Sequence, residues 1–402
     1  MRSLFELVGF EYKKIFMRKA SIIALTLGIM LSIFTIISLI IPGFTPPSDE
    51  SAWQRMVRDR EYGRALAGRV LDADFLVEAS EAFSENHPQL TIHHNRIFTF
   101  LVFVLAPTTF NVHEALERMP ISQEDAEGFY VMRHEMVAQE VYRMIEIGRM
   151  SENAGQEIIR LDAQISTPFV LNNTLGFESF IMDFRVIAML LFFVIAICIA
   201  PVFAGEHSTG VAQLILVSKH GKRQLIWAKI ITAISFCVAV SLLFTTVCFL
   251  ISMVIFGADG REVAFQMLFP WTPYPLNMGQ VTIILVLNTI LRALLFGAVL
   301  LFLSARLKSS FAVMIVASIW LISALMLYMP LPIMWLYNLA RLVINVIPDV
   351  PFQSTRFTFS VVPYEIFGWF IPPFIFEPLF SLLVGLVIFF LAGRVFKRHQ
   401  VG

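Results

Sequence analysis

Long stretches of apolar residues alternate with short polar segments along most of this chain. A helix rises about 1.5 Å per residue, so about 20 apolar residues are needed to cross the roughly 30 Å hydrocarbon core of a bilayer. Six stretches meet or approach this length, and the pattern predicts six transmembrane helices. They lie at residues 20–41, 186–204, 230–256, 281–303, 311–329 and 374–392.

The first 19 residues have the periodicity of an amphipathic helix. At about 100° per residue, apolar positions fall on one stripe and charged positions on the opposite side. Such a helix is suited to lie in the membrane interface, although a plain cytoplasmic lead-in to the first span would give the same pattern. The apolar stripe contains Leu4, Phe5, Val8, Tyr12, Ile15 and Phe16, and the polar side contains Arg2, Glu6, Lys13 and Lys14.

Residues 42–181 differ from the rest of the chain and predict a helical domain outside the membrane. The segment has 21 acidic residues, 11 arginines and no lysine, which gives a net charge of −10. Helical patterns cover residues 48–83 and 122–164, and Ser122 is placed to cap the second of them. Between them, the apolar residues 97–106 are too few to span a bilayer, so they either form a buried core element or dip into the outer leaflet.

Residues 330–373 are apolar but are interrupted by several prolines. Proline ends or kinks helices because it lacks a backbone N–H. The segment therefore predicts short helices that lie on the outer leaflet or re-enter it, and residues 393–402 predict a cytoplasmic tail. The predicted fold is an all-α polytopic membrane protein with six transmembrane helices and a large, mainly helical extracytoplasmic domain between helices 1 and 2.

The lysines indicate the orientation of the spans. All of them fall outside the predicted outer segments, on the same side as both termini. Short loops rich in Lys and Arg stay in the cytoplasm, so both termini are predicted to be cytoplasmic, in a multi-pass protein of the plasma membrane and of bacterial origin. The lysines are Lys13, Lys14, Lys19, Lys219, Lys222, Lys229, Lys308 and Lys397.

Composition agrees with a membrane protein. Hydrophobic residues make up 57% of the chain, charged residues 15%, and the mean hydropathy is +0.74. The formal net charge is zero, so bulk electrostatics give no reason to expect a nucleic-acid partner. Cys198, Cys237 and Cys248 all fall in apolar stretches, which predicts buried, inert thiols.

Sequence motifs for catalysis or nucleotide binding are missing. The chain has no GxxxxGK[ST], no GxSxG and no complete HExxH. The sequence HEALE at His113 has Glu117 where the second zinc-binding histidine would be needed, and His87, His93 and His94 show no ligand spacing. We therefore expect no catalytic, cofactor or metal site in this chain, which disfavours a membrane-embedded hydrolase.

Arg292 lies about eleven residues into the predicted span at 281–303, near the middle of the bilayer. An arginine that faced lipid there would be costly, so Arg292 is predicted to face the protein interior or a translocation path. Asn288 is one turn away on the same face and is placed to share its hydrogen bonding. A path residue and a structural arginine are equally good interpretations, because the predicted spans contain no central acidic residue to pair with it.

The polar segment after the second span, residues 205–229, has the most distinctive sequence in the chain. The stretch FAGEHSTGVAQLILVSKHGKRQLIWAKI from Phe203, with FEYKKIFMRKA from Phe10, resembles the permease subunit of an ATP-binding-cassette exporter of the type-2 permease family. In that family the loop runs from Glu through small residues to an apolar turn, a breaker, an Arg and a Lys that opens the third span. The matching residues here are Glu206, Gly210, Leu214, Ile215, Lys219, Gly221, Arg223 and Lys229.

The resemblance implies a mechanism and partners. Residues 205–229 would couple to a separate ATPase subunit, which would bind ATP and Mg²⁺, so this chain would need no cofactor. A second permease copy or a paralogue would pair with it around the translocation path. Positive charge alone would also anchor the loop at the bilayer, but it would not explain the Glu, Gly and Leu positions. The implied coupling residues are Glu206, Gly210, Leu214, Lys219, Arg223 and Lys229.

A second function fits the same layout. A membrane-anchored sensor or immunity protein would use the acidic outer domain to bind an extracellular peptide, and a cationic peptide would suit the charge of that domain. A transporter should purify with an ATPase, whereas a stand-alone binder should not. The sequence does not indicate which substrate an exporter of this kind would carry.

Overall fold

The structure of this chain, a computed structural model, is mostly helical. It describes residues 2–38, 51–84, 117–148, 150–208, 221–307, 309–326 and 362–398, together with positions 97, 100–102, 104, 105 and 342. The named helices are α1 (Arg2–Phe16), α2 (Lys19–Ile37), α3 (Ala52–Ala65), α4 (Ala73–Ser84), α5 (Gln123–Glu146), α6 (Glu152–Asp162), α7 (Leu175–Ile199), α8 (Pro201–Ser208), α9 (Gly221–Phe256), α10 (Met278–Arg306), α11 (Ser310–Met326) and α12 (Pro373–Arg398).

Within the described residues, five helical segments are long and apolar enough to cross a membrane. They are α2, the run formed by α7 and α8, α9, α10 and α12. These segments lie where five of the six spans were predicted. The remaining predicted span, 311–329, overlaps α11, an apolar helix with 17 described residues, and positions 327–329 lie outside the described residues. Helix α10 packs against α7, α9 and α12, and α9 packs against all four of the other long apolar segments.

Several helices extend beyond the predicted spans, because charged residues are accommodated inside them. α7 begins at Leu175, well before the predicted start at 186, and its Glu178 is buried and accepts a hydrogen bond from the Thr174 hydroxyl. This early part of α7 lies close to the end of α9, since a Cβ on Gly176 would come 2.0 Å from the carbonyl oxygen of Gly257. α12 likewise continues as a helix to Arg398, into the predicted tail.

Helices α3 to α6, called the helical domain below, lie between the first two long apolar helices in the chain. Each of the two long helices predicted here is in fact two helices. Gly68 and Gly148 interrupt them with φ of +82° and +70°, a backbone conformation that favours glycine. Ser122 does cap α5, because its side chain accepts a hydrogen bond from the backbone N–H of Asp125.

An aromatic cluster forms the core of the helical domain. The ring of Phe100 lies 5.3 Å from that of Phe129 and 5.7 Å from that of Phe169, measured between centroids. All three side chains are buried. The described part of the apolar segment 97–106 is helical and buried, which favours the core interpretation over insertion into lipid.

Arg133 connects the helical domain to residues 257–277, the segment that joins α9 to α10. Its fully buried guanidinium donates to the carbonyl oxygens of Pro270, at 2.9 Å, and Thr272, at 2.8 Å. It also forms an ion pair of 2.6 Å with Asp162. Burial lowers the pKa of Arg133, and the charge of Asp162 opposes that shift. Because one planar group satisfies three acceptors, the domain and this segment form one packed unit.

Replacing Arg133 by lysine is expected to destabilise this unit by about 1–3 kcal/mol, because an ammonium cannot bond all three acceptors and leaves buried oxygens unsatisfied. Limited proteolysis of the solubilised protein would report the change as faster cleavage within the helical domain. Arg143→Lys is the matched control, since Arg143 lies on the same helix and its ion pair with Glu140 is partly exposed. Equal effects of the two substitutions would contradict this role of Arg133.

Residues 364–371 form a β-hairpin where short helices were predicted. Strand β1 (Tyr364–Ile366) pairs antiparallel with β2 (Trp369–Ile371). The turn between them has φ of +51° at Phe367 and +81° at Gly368, as two-residue hairpin turns require. The prediction of an all-helical segment at 330–373 is therefore wrong for the hairpin, and residues 330–361 lie outside the described residues apart from position 342.

Candidate functional site

Four charged side chains meet in the interior where α1, α8 and α9 come together, and we call this group the α1 cluster. It consists of Glu11, Lys14, Glu206 and Lys229. The Lys229 ammonium donates to Glu11 at 2.8 Å, to Glu206 at 2.7 Å and to the carbonyl oxygen of Val202 at 3.0 Å. The Lys14 ammonium donates to the same two carboxylates, at 2.8 Å each. Two positive and two negative groups therefore balance one another.

The local folds of three helices produce this arrangement. On α1, Glu11 and Lys14 are one turn apart, so both can reach the same partners. Helix α8 follows α7 after a single intervening residue and carries Glu206 back towards α1. Helix α9 begins at Gly221 rather than at the predicted 230, so Lys229 stands on a regular helix packed against α1.

Burial makes the pairing in the α1 cluster obligatory. The Lys229 side chain is 0% exposed, and Glu11 and Glu206 are also buried. Charges removed from water are strongly destabilising unless they are paired and hydrogen-bonded. Lys14 is partly exposed. Burial lowers the pKa of Lys14, but its hydrogen bonds to Glu11 and Glu206 outweigh that effect and raise it above its ordinary value of 10.5.

Additional bonds connect the α1 cluster to α10. The Ser304 hydroxyl donates to the carbonyl oxygen of Ala200 at 2.7 Å and accepts from the backbone N–H groups of Phe203, at 3.0 Å, and Ala204, at 2.9 Å. The Arg18 guanidinium bonds the carbonyl oxygen of Pro201 at 3.3 Å. Helices α1, α8, α9 and α10 are thus tied together at one end of the long apolar helices.

The structure locates only part of the predicted coupling set. Glu206 is 7% exposed and Lys229 is fully buried, so neither side chain forms part of an exposed surface, and their part in coupling stays a prediction. Arg223 lies in the first turn of α9, and its side chain is not described. The segment predicted as a loop is helical at both of its ends. Gly210, Leu214 and Lys219 lie outside the described residues.

Glu11 is the member of the α1 cluster that the sequence pattern did not identify. It precedes Tyr12 in the apolar stripe of α1 and belongs to neither the apolar nor the polar set of that helix. Its position beside an apolar stripe is the signal by which the sequence could have identified Glu11. An acidic side chain there must either be solvated or pair with a buried cation. The nearby Tyr12 hydroxyl bonds the Ser235 hydroxyl at 2.7 Å, which also draws this face of α1 against α9.

A second buried pair, called the Arg292 pair below, joins α10 to α12. The Arg292 guanidinium forms an ion pair with Glu377, and the Tyr364 hydroxyl donates to the other Glu377 oxygen at 3.2 Å. Arg292 is 4% exposed, and Asn288 one turn earlier is also buried. Glu377 lies near the start of α12, so the partner of Arg292 comes from the end of a span rather than from the centre of one, where no acidic residue was predicted.

The two helices run in parallel, which explains the pairing. Phe374 in the first turn of α12 contacts Tyr274, just before α10, with ring centroids 5.1 Å apart. A Cβ on Gly385 would come 3.1 Å from Leu295 further along α10. Because side chains on a helix lean towards its N-terminus, the long side chain of Arg292 reaches back to the depth of Glu377.

Both buried groups consist of oppositely charged side chains whose contacts fix how helices pack. Within the described residues, no group of three or more His, Cys, Asp or Glu side chains could hold a metal ion, and the histidines His87, His93, His94 and His113 lie outside those residues. Cys198, Cys237 and Cys248 are buried and unpaired with one another, as predicted.

Comparison of this chain with protein-family models, with curated proteins and with solved structures found no match. The α1 cluster and the Arg292 pair are therefore the main observations from which a function can be inferred. Of the two, the α1 cluster lies beside the segment that carries the distinctive sequence at 205–229.

Proposed function

We propose that this chain is the permease subunit of an ATP-binding-cassette exporter of the type-2 family. In this proposal it crosses the plasma membrane six times, with α11 as the fifth span and both termini in the cytoplasm. The helical domain then stands on the extracytoplasmic side. A separate ATPase subunit supplies the energy, and a second permease copy or a paralogue completes the translocation path.

The α1 cluster is the observation that carries the proposal. A permease without its own nucleotide site must receive movement from a docked ATPase and pass it to the membrane helices. Residues 209–220 follow α8 and precede α9 in the chain, and the hydrogen bonds of the α1 cluster connect both of these helices to α1. Ser304 extends this connection to α10. A force on the segment would therefore reach several long helices together.

The charge distribution supports the proposed orientation. Lys14 and Lys229 lie at the α1 end of the bundle, and the helical domain, which has no lysine, lies at the opposite end. Lysine-rich short segments remain in the cytoplasm. The α1 end is therefore assigned to the cytoplasm.

Two kinds of residue serve coupling in this proposal. Gly210, Leu214, Lys219 and Arg223 belong to the contact with the ATPase. Glu206 and Lys229 act behind that contact as positioning residues, because their side chains are buried. The Arg292 pair, with Asn288, either stabilises the packing inside the membrane domain or lines the translocation path.

Purification of the tagged protein from its native membrane in mild detergent tests the proposal. We expect an ATP-binding-cassette ATPase to co-purify, identified by mass spectrometry and by ATPase activity in the eluate. Arg223→Ala should strongly reduce its recovery. Arg143→Ala is the matched control, since that exposed arginine lies in the helical domain at the other end of the molecule and should change nothing.

Absence of an ATPase from the wild-type preparation would contradict the exporter proposal. The sensor or immunity function would then be favoured, and the acidic helical domain would be tested for binding of cationic peptides. Full recovery of the ATPase with Arg223→Ala would instead be consistent with the exporter proposal but would show that Arg223 is not needed for the contact with the ATPase.

A further inference from the structure

The tip of the β-hairpin exposes two large aromatic side chains. Phe367 is 99% exposed and Trp369 is 76% exposed. Phe367 also adopts a positive φ, which a bulky side chain disfavours and which glycine or asparagine would adopt more easily. The turn itself therefore does not explain a phenylalanine at this position. An interaction of the exposed ring outside the hairpin would explain it.

The base of the hairpin is held firmly against its surroundings. The Tyr364 ring lies 4.6 Å from that of Phe376 in α12, and its hydroxyl bonds Glu377. Glu365 accepts a hydrogen bond of 2.9 Å from the Ser151 hydroxyl at the start of α6. The aromatic tip is thus projected from a fixed base that touches both α12 and the helical domain.

The hairpin directly precedes α12, one of the helices that are long and apolar enough to cross a bilayer. The contact between Phe374 and Tyr274 sets the first turn of α12 level with the start of α10. On α12 an exposed apolar stripe, formed by Ile375, Leu379 and Leu383, begins two residues after the helix starts. This stripe is the surface that faces lipid if α12 spans the membrane, and the hairpin precedes it directly in the chain.

We propose that the hairpin tip, Phe367 to Trp369, inserts into the boundary between headgroups and acyl chains of the adjacent leaflet. Aromatic side chains are favoured at this depth, because they are large and apolar and tryptophan also has a polar N–H. The low charge of this segment also supports insertion of the tip. Glu365 is the single charged residue from 362 to 376, and it accepts a hydrogen bond from Ser151. The hairpin would anchor the helical domain at the membrane surface.

This inference does not depend on the exporter proposal, because it requires only that α12 span a bilayer. Nitroxide labelling offers a direct test, since the three native cysteines are buried and should not react. We would label Phe367→Cys in liposomes of phosphatidylcholine and phosphatidylglycerol and measure collision of the label with oxygen and with a water-soluble nickel chelate. Two matched variants serve as references for the accessibility of the label. Leu383→Cys on the exposed stripe of α12 represents a position in lipid, and Glu127→Cys on the exposed face of α5 represents a position in water.

The expected ratio of oxygen to nickel accessibility at position 367 is several-fold higher than at position 127 and closer to that at position 383. A second measurement uses the unlabelled protein: brominated lipids should quench tryptophan fluorescence, and Trp369→Phe should remove part of that quenching. A ratio at 367 equal to that at 127, or unchanged quenching in Trp369→Phe, would overturn the proposal. A label shielded from both reagents would also overturn it and would show that protein, such as a second copy of the chain, covers the tip.

Discussion

Replacing Lys229 by methionine is expected to lower the free energy of unfolding by about 3–5 kcal/mol, the usual cost of removing one partner from a buried ion pair. Methionine fills a similar volume but leaves the buried carboxylates of Glu11 and Glu206 without the charge and the hydrogen bonds of the Lys229 ammonium. Denaturation with SDS in mixed micelles would measure the change as a lower midpoint. The substitution should also loosen the packing of α1 and α8 against α9, since Lys229 on α9 bonds Glu11 on α1 and Glu206 on α8.

Two further variants separate charge balance from simple packing. Lys13→Met makes the same substitution at an exposed lysine of α1 and should change stability by well under 1 kcal/mol. The double variant Lys229→Met with Glu11→Gln restores neutrality and should recover part of the loss. If the double variant were as unstable as the sum of both single substitutions, the cluster would not act as one electrostatic unit.

Hydropathy predicted the positions of the long helices well. The predicted ends at 256 and 303 lie at or within three residues of the observed ends of α9 and α10. This success has a simple cause, because the length and the apolar character of a span are properties of a continuous segment. Hydropathy does not give the full length of a helix that includes charged residues, such as α7 with Glu178.

Pairings between distant residues could not be predicted in the same way. Sequence reasoning recognised that Arg292 needs a partner, but assigning Glu377 required knowing that α12 runs in parallel beside α10. For the same reason Glu206 and Lys229 were recognised as unusual, whereas their burial depends on how α1 packs against α9. Glu11 was missed because its effect appears only when three helices meet.

Arg292→Leu is expected to destabilise the protein by about 3–5 kcal/mol, because it leaves the Glu377 carboxylate buried among apolar helices. The same denaturation in mixed micelles would measure the loss. Arg306→Leu is the matched control, since Arg306 lies exposed in the last turn of the same helix and should have little effect.

The double variant Arg292→Leu with Glu377→Leu distinguishes a packing role from a functional one. Buried ion pairs are often replaced by apolar residues without loss of stability, so the double variant should recover most of the wild-type stability. The Tyr364 hydroxyl then loses its acceptor, which limits the recovery by about 1 kcal/mol. If the double variant remained as unstable as Arg292→Leu alone, the unpaired carboxylate would not be the cause. Asn288 and the hydrogen bonding around Arg292 itself would then have to explain why α10 carries a buried arginine.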